Sequence, residues 1–185
     1  MFWPVPESYC RRLPRPGEPG SFWEDRGDRH HAGVDIYAPG TASVVSIEDA
    51  TVVAVHEFTS PDLNPYWNVT YSILTRNEQG LYLRYAELGS VCVEAGQKVR
   101  AGEVIGTVGS VLALDRIDST APLYIQRLKD RGNAAMLHFE MYDRQPRPLP
   151  PTLYLGGNYF QQEMPPGLLN PARYLARAID NFNDN

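Results

Sequence analysis

Two short segments of this 185-residue chain combine histidine with acidic side chains at spacings that suit a metal ion. In the first segment, His31 and Asp35 lie four residues apart with Gly33 between them. Side chains at i, i+2 and i+4 of an extended strand share one face, so the imidazole and the carboxylate would converge over a glycine that leaves space. Such a pair can coordinate one divalent ion, although most pairs of this spacing are surface polar residues. A tetrahedral zinc site needs a third protein ligand, and a catalytic one keeps its fourth position open.

The second segment, residues 135–141, offers that third ligand. Leu137, Phe139 and Met141 alternate with Met136, His138 and Glu140. The alternation predicts a strand with one apolar face, and it places His138 on the other face, where a ligand is expected. His31, Asp35 and His138 are therefore the candidate metal ligands. Glu140 could hold His138 in orientation from behind, and a structural salt bridge is the alternative.

The composition limits what else the chain can do. It has 17 basic and 22 acidic side chains, a net charge of −5, and 43% hydrophobic residues. This acidic balance argues against a nucleic-acid groove or a polybasic membrane patch, and the hydrophobic content suits one globular domain. Only four histidines and two cysteines are present, which excludes cysteine-rich zinc modules and disulfide-dense scaffolds. Cys10 and Cys92, in unlike surroundings, are interpreted as free thiols.

The elements that must position these residues are predicted to be short strands separated by turns, which is typical of an all-β sandwich or barrel. The predicted elements are two strands within residues 42–56 with a turn at Glu48–Asp49, a hairpin of 69–73 and 81–85 closed by 77–80, a compact β-corner of spaced valines and glycines over 93–109, a short helix near 123–129, and a C-terminal helix over 172–179. Pro171 suits the first turn of that last helix.

The two ends of the chain differ from its middle. Residues 1–20 are rich in proline and contain no apolar run long enough for a signal peptide or a membrane helix. We predict a proline-rich arm over 1–20, one domain over 21–176 and a tail over 177–185. Membrane insertion is not expected. As written, the chain is expected to be cytoplasmic, or to act in the cell envelope or outside the cell if an export segment was removed.

At these residues the sequence resembles the lysostaphin and LytM-type zinc endopeptidases, which cut peptide crosslinks in bacterial cell walls. The matching runs are Arg29-x-His31-x-Gly33-x-Asp35-Ile36-x-Ala38-Pro39-Gly40, Leu83-x-Tyr85-Ala86-x-Leu88, Val93 to Gly109, Leu137-His138-Phe139-Glu140, and Asn170-Pro171-x-x-Tyr174-Leu175. They occur in the family's order. The resemblance implies an antiparallel β core around a long groove, one zinc ion held by His31, Asp35 and His138, and a peptidoglycan-type peptide as substrate.

Two positions depart from the family pattern. The family typically has histidine after Tyr-Ala and again two residues before the last ligand, whereas this chain has Glu87 and Met136 there. Methionine neither takes a proton nor donates a strong hydrogen bond, so Met136 is interpreted as a residue of the groove wall. A carboxylate beside a zinc-bound water is a competent general base, so Glu87 is the candidate catalytic residue. A solvated or salt-bridged glutamate, paired with Arg84, is the alternative.

Three classes of function follow from these patterns. The first is a zinc metalloendopeptidase-like protein acting on peptidoglycan-type crosslinks, with altered or weak activity. The second is an inactive family member that binds a peptide, glycan or protein partner in the groove and keeps zinc for structure. The third, a biotinyl or lipoyl carrier domain, rests on the glycine-valine corner alone and is disfavoured because no lysine is displayed on a hairpin tip.

Overall fold

The computed structural model describes residues 1–130, 132 and 135–183, and short antiparallel strands dominate them, which confirms the all-β prediction. The strands are β1 (His30–His31), β2 (Val34–Tyr37), β3 (Ser43–Val45), β4 (Ala50–Thr59), β5 (Thr70–Asn77), β6 (Tyr82–Val91), β7 (Lys98–Val99), β8 (Val104–Ser110), β9 (Ala135–Tyr142), β10 (Tyr154–Leu155), β11 (Asn158–Tyr159) and β12 (Leu168–Leu169). The helices are α1 (Leu123–Asp130) and α2 (Ala172–Asn183). Among the described residues, no helix is both long enough and apolar enough to span a membrane.

The strands form two antiparallel sheets, and β9 pairs with several strands of the larger one. The large sheet has the order β12-β9-β8-β6-β5-β4-β7, with β2 beside β9 and β3 beside β8. Strand β9 also pairs with β6, so it lies between β2 and β6. The small sheet has the order β1-β11-β10. The chain therefore passes from the small sheet to the large one between His31 and Val34.

One face of the β2–β9 pair is part of the main core. Val34 and Ile36 of β2 and Leu137 and Phe139 of β9 are all buried in it, as the alternation of residues 135–141 predicts. Burying an apolar side chain of this size contributes roughly 1.5–3 kcal/mol relative to leaving it in water. Because neighbouring residues of a strand point to opposite faces, this apolar anchoring fixes Asp35 and His138 on the other side of the sheet.

The N-terminal arm contributes to the same core. Trp3 and Val5 are buried members of it, and the backbone N–H of Tyr9 donates a hydrogen bond to the carbonyl of Tyr37. The arm thus lies along the edge of β2 that β9 does not occupy. The boundaries at residues 20 and 176 stay a prediction.

Strand β6 carries one extra residue where it passes the candidate site. Ile73 pairs with Tyr85 and Tyr71 pairs with Leu88, so three steps along β6 match two along β5. Within this bulge Glu87 has a φ of 62°, in the left-handed region. A non-glycine residue there costs about 1–3 kcal/mol and persists only where the surroundings hold it. The bulge turns the Glu87 side chain out of the regular alternation of the strand.

Candidate metal centre

Three predicted ligands, His31, Asp35 and His138, meet in the folded chain, and their ligand atoms lie within 4.8 Å of one another. His31 Nε2 lies 2.9 Å from His138 Nδ1, and each of these nitrogens is 3.0 Å from Asp35 Oδ1. The two histidines are 1% exposed and the aspartate 7%. Asp35 and His138 are directly opposed partners on β2 and β9, so the sheet register brings them together.

The local backbone differs from the continuous strand that the sequence predicts for residues 31–35. His31 ends β1 and Asp35 lies in β2, with a break at Ala32–Gly33 between the two sheets. The sequence analysis expected Gly33 to leave open space beside the ligands, but the structure requires this glycine for another reason. A Cβ at Gly33 would lie 2.2 Å from the carbonyl oxygen of Phe139, so only glycine lets β9 approach this closely.

Hydrogen bonds fix which nitrogen of each imidazole faces the centre. His31 Nδ1 lies 2.8 Å from the carbonyl oxygen of Ser21, which can only accept, so Nδ1 carries the hydrogen and Nε2 keeps its lone pair. His138 Nε2 lies 2.9 Å from Glu140 Oε1, which leaves the lone pair on Nδ1. Two lone pairs and a carboxylate oxygen therefore face one point, and only a cation or a proton can hold them together.

Without a metal ion, that bridging charge is a proton on His138. Burial by itself would lower the pKa of His138, but its hydrogen bonds to Asp35 and Glu140 raise it to about 10. Burial lowers the pKa of His31, and the attraction of Asp35 only partly opposes this. Burial would raise the pKa of Asp35, yet the two histidines hold it well below its ordinary value.

The donor set suits zinc. Two imidazoles and one carboxylate are a known catalytic ligand combination, and each ring has its second nitrogen bound to a carbonyl or a carboxylate, as zinc ligands in proteins do. Tetrahedral ligands at about 2.0–2.1 Å from zinc stand roughly 3.3–3.4 Å apart. The observed separations of 2.9–3.0 Å need to widen by only a few tenths of an ångström.

Glu140 supports His138 from behind, and its carboxylate is saturated with donors. It is fully buried and accepts hydrogen bonds from Arg84 at 2.9 Å and from the hydroxyls of Tyr142 and Tyr154 at 2.5 Å each, besides the contact to His138. Burial would raise the pKa of Glu140, but Arg84 and His138 keep it well below its ordinary value. Glu140 thus makes both the salt bridge and the contact to His138 that the sequence left as alternatives.

Asp35 has a similar support that the sequence analysis missed. Its second oxygen, Oδ2, lies 3.4 Å from the guanidinium of Arg26, which also binds Glu24 at 2.9 Å and Asn158 at 3.0 Å. Arg26 and Asn158 are 132 positions apart, and no periodicity marks either one. Tyr142 was within reach of the sequence analysis, because it continues the alternating face of β9 by one more step.

Glu87 is buried, with 8% of its surface exposed, and Asp35 and His138 are among its charged neighbours. Its Oε2 atom has no hydrogen-bond partner among the described residues. Burial, together with the negative charge of Asp35, raises the pKa of Glu87 to about 8. The alternative of a solvated surface glutamate is contradicted by this burial, and Arg84 pairs with Glu140 instead.

Met136 and Tyr37 stand one cross-strand pair away from the ligands. Met136 is half-buried on β9, opposite Tyr37 of β2 and Gly109 of β8. Tyr37 is also half-buried, and burial and the charge of Asp35 raise its pKa to about 12.

The remaining histidines lie away from the centre. His30 stacks on Trp23 with ring centroids 4.7 Å apart and contacts the Gln161 carbonyl, while His56 is exposed on β4.

A cavity of about 350 Å³ lies between the N-terminal arm and β2. It is lined by Asp35, Ile36 and Tyr37 from β2 and by Cys10, Arg12, Pro14, Glu18 and Pro19 from the arm. Gly20 of the arm touches Asp35 closely, since a Cβ there would lie 2.9 Å from Asp35 Cβ. Among the three candidate ligands, the cavity touches Asp35.

The protein combines an antiparallel β fold with a buried His-Asp-His cluster, and this combination is typical of a metallopeptidase-type fold. A model of peptidase family M23 matches residues 29–151, and the chain belongs to that family. No curated protein matches the chain.

The chain is similar to several solved structures. The catalytic domain of a point mutant of EnpA, a prophage-encoded M23 protein from Enterococcus faecalis, is 17% identical with a TM-score of 0.51, covering 85% of this chain and 93% of that one. Lysostaphin from Staphylococcus simulans is 20% identical with a TM-score of 0.49, covering 80% of this chain and 45% of that one. A zinc-containing peptidase from Vibrio cholerae is 21% identical with a TM-score of 0.48, covering 88% and 40%. The chain therefore spans less than half the length of the last two.

Proposed function

We propose that this protein is a zinc-dependent metallopeptidase that cleaves peptide crosslinks of the peptidoglycan type, with Glu87 as its general base. The observation that carries the proposal is the carboxyl of Glu87, which is buried near Asp35 and His138 with an oxygen that has no partner among the described residues. A buried acceptor without a partner costs about 1–3 kcal/mol. Glu87 is also a strained residue, and strained residues with unsatisfied polar atoms are typical of sites that bind a reactant.

His31, Asp35 and His138 would hold the zinc ion, and their supports keep them in place before it binds. When bound, zinc supplies a Lewis acid that polarises a carbonyl and lowers the pKa of a water molecule. Ser21 and Glu140 fix the tautomers of the two histidines. Because these positions are set by the fold, the ligands lose little freedom on binding the metal.

Glu87 would take the proton of the attacking water and pass it to the leaving amine. A positioned base of this kind contributes about a hundred- to ten-thousand-fold to the rate. The carboxyl is buried, and burial raises its pKa above that of a surface glutamate, which makes its carboxylate a stronger base. The substrate assignment rests on family membership, since peptidase family M23 acts on peptidoglycan peptides.

A second candidate function is an inactive family member that binds a peptide, glycan or protein partner and keeps zinc for structure. Two observations favour it: the methionine at position 136 and the near-complete burial of the ligands. Structural zinc sites are closed, whereas catalytic ones keep a position open to substrate.

The test is zinc content and crosslink cleavage measured together on the purified chain. We expect about one zinc per chain in the wild type, none after His138→Ala, and full zinc in Glu87→Gln with cleavage reduced at least about a hundredfold. Glu78→Gln, an exposed glutamate in the turn after β5, is the matched control and should cleave as the wild type does. A wild type that binds zinc but does not cleave, with the same zinc content and lack of cleavage in Glu87→Gln, would favour the second candidate. A wild type that binds no zinc would exclude both.

A further inference from the structure

The face of the sheet that carries Asp35 and His138 continues by one cross-strand pair, Tyr37 and Met136. Tyr37 is two residues from Asp35 on β2, and Met136 is two residues from His138 on β9. Directly opposed residues of an antiparallel pair have their Cβ atoms about 4.5–5.5 Å apart and on the same face. Tyr37 is therefore the next side chain along β2 beside the candidate metal ligands.

Peptide hydrolysis at this centre needs a hydrogen-bond donor for the carbonyl oxygen, which gains negative charge as water attacks. The thioether of Met136 has no hydrogen to donate. Three donors near the ligands are already engaged. The guanidinium of Arg26 binds Glu24, Asn158 and Asp35, and the hydroxyls of Tyr142 and Tyr154 donate to Glu140.

The hydroxyl of Tyr37 is not engaged in this way. In the part of the chain that the structure describes, the hydrogen bond that Tyr37 makes outside the β2–β9 ladder uses its backbone carbonyl, which accepts from the N–H of Tyr9. Its surroundings are those of the site, because its electrostatic neighbours are Asp35, Arg26, Glu87 and Glu24. Tyr37 also lines the 350 Å³ cavity between the arm and β2, together with Asp35. That volume lies at the lower end of the range of about 300–1,000 Å³ that is usual for ligand sites.

We propose that Tyr37 is a catalytic residue of this chain, whose phenol donates a hydrogen bond to the carbonyl oxygen of the peptide bond being cleaved. The inference rests on the proposed peptidase function. The water oxygen forms a bond to the carbonyl carbon while Glu87 takes one water proton, and the carbonyl oxygen accepts the hydrogen bond from Tyr37. The carbon–nitrogen bond then breaks, the leaving nitrogen receives the proton from Glu87, and the products are one carboxyl and one amine. Tyr37 keeps its proton throughout.

The first test is Tyr37→Phe, which removes only the hydroxyl oxygen. We expect unchanged zinc content and thermal stability, a KM within about twofold of the wild type, and a kcat lower by about a hundred- to a thousandfold, as for the loss of one oxyanion donor. Tyr71→Phe, an exposed tyrosine on β5, is the matched control and should leave kcat unchanged.

A second readout separates transition-state stabilisation from substrate positioning. A phosphinate analogue of the crosslink peptide carries a tetrahedral anionic centre, and calorimetry measures its affinity without turnover. Tyr37→Phe should weaken phosphinate binding by about the factor lost in kcat/KM, with affinity for the uncleaved peptide in the Glu87→Gln background unchanged. Met136→His, added to Tyr37→Phe, places an N–H donor on the opposed strand and should recover at least about tenfold of the lost kcat.

The outcomes distinguish this inference from the function on which it rests. An active wild type with unchanged kcat and phosphinate affinity in Tyr37→Phe would overturn the role of Tyr37 and leave the peptidase function intact. A zinc-loaded wild type that neither cleaves the peptide nor binds the phosphinate would overturn both. Loss of zinc or of folding in Tyr37→Phe would show a structural residue instead and would also refute the inference.

Discussion

Glu140→Gln tests whether the negative charge of the carboxylate behind His138 is needed, or only a side chain of its size and shape. The substitution keeps the size of the side chain but removes its negative charge and turns one acceptor into a donor. Arg84 then has no counter-charge within reach, although its side chain is only 17% exposed. Breaking a buried ion pair by removing one partner costs about 3–5 kcal/mol, because the other charge stays buried.

The structure places the expected loss at the lower end of that range. The guanidinium of Arg84 also lies over the rings of Tyr142 and Tyr154, at 5.6 and 5.3 Å from their centroids, and these contacts remain. We expect Glu140→Gln to lower the free energy of unfolding of the metal-free protein by about 3 kcal/mol. Zinc affinity should fall by about 10–100-fold, since an uncharged amide oxygen holds the N–H of His138 less strongly than the carboxylate does.

Urea denaturation and zinc titration against a competing chelator measure both effects. The double variant Arg84→Met/Glu140→Gln removes the unpaired charge as well, so it should be more stable than the sum of the two single losses by about 0.5–3 kcal/mol. Zinc affinity should stay low in the double variant, because His138 still lacks its carboxylate. A change in unfolding free energy below about 1 kcal/mol for Glu140→Gln, with strict additivity in the double variant, would refute this account of the buried pair.

Two further predictions concern the backbone and the protons of the site. Gly33→Ala places a methyl carbon 2.2 Å from the carbonyl oxygen of Phe139, which is backbone and cannot move aside. We expect the free energy of unfolding, measured by urea denaturation, to fall by at least about 2 kcal/mol, and zinc binding to weaken. Wild-type stability in this variant would contradict the prediction. The thermal midpoint of the metal-free protein should fall as pH rises from about 6.5 to 9, because the folded pKa values of His138 (about 10) and Glu87 (about 8) lie above their ordinary 6.5 and 4.5. The folded state then holds more protons than the unfolded chain, and the stability they provide is lost with rising pH; a midpoint that rises over this interval would show that neither pKa is raised.

The sequence predicted the site best where a strand's alternation decides which face a residue occupies. Leu137 and Phe139 are buried in the core, which fixes His138 on the opposite face, as expected. Alternation does not give the register between distant strands, so it made His138 a candidate third ligand without placing it opposite Asp35. The β2–β9 register then accounts for it physically, because the two residues are directly opposed.

The family pattern pointed to Glu87 as the candidate base, but the direction of its side chain could not be derived from the strand's sequence. In a regular strand Glu87 would follow the alternation of Leu83 and Tyr85, and its side chain would point into the core. The bulge and the φ of 62° change that direction, and no residue pattern in the strand marks them. Arg26 escaped prediction because it reaches Asp35 from a loop and depends on Asn158, which is far away in the chain.

The supports of the metal ligands come from segments that are far apart in sequence, and this links metal binding to the whole fold. Ser21 precedes β1, Arg84 lies on β6, and Asn158 begins β11, yet each one holds a ligand or the group behind it. An unfolded or partly folded chain cannot present the three ligands together, so binding free energy at this centre is also folding free energy. At a zinc concentration of about a hundred times Kd the ion would add about 2.7 kcal/mol to the stability of the native state. Zinc-dependent protection should therefore extend to β11 and to the arm beside β2, and hydrogen exchange that changes only at the ligands would contradict this coupling.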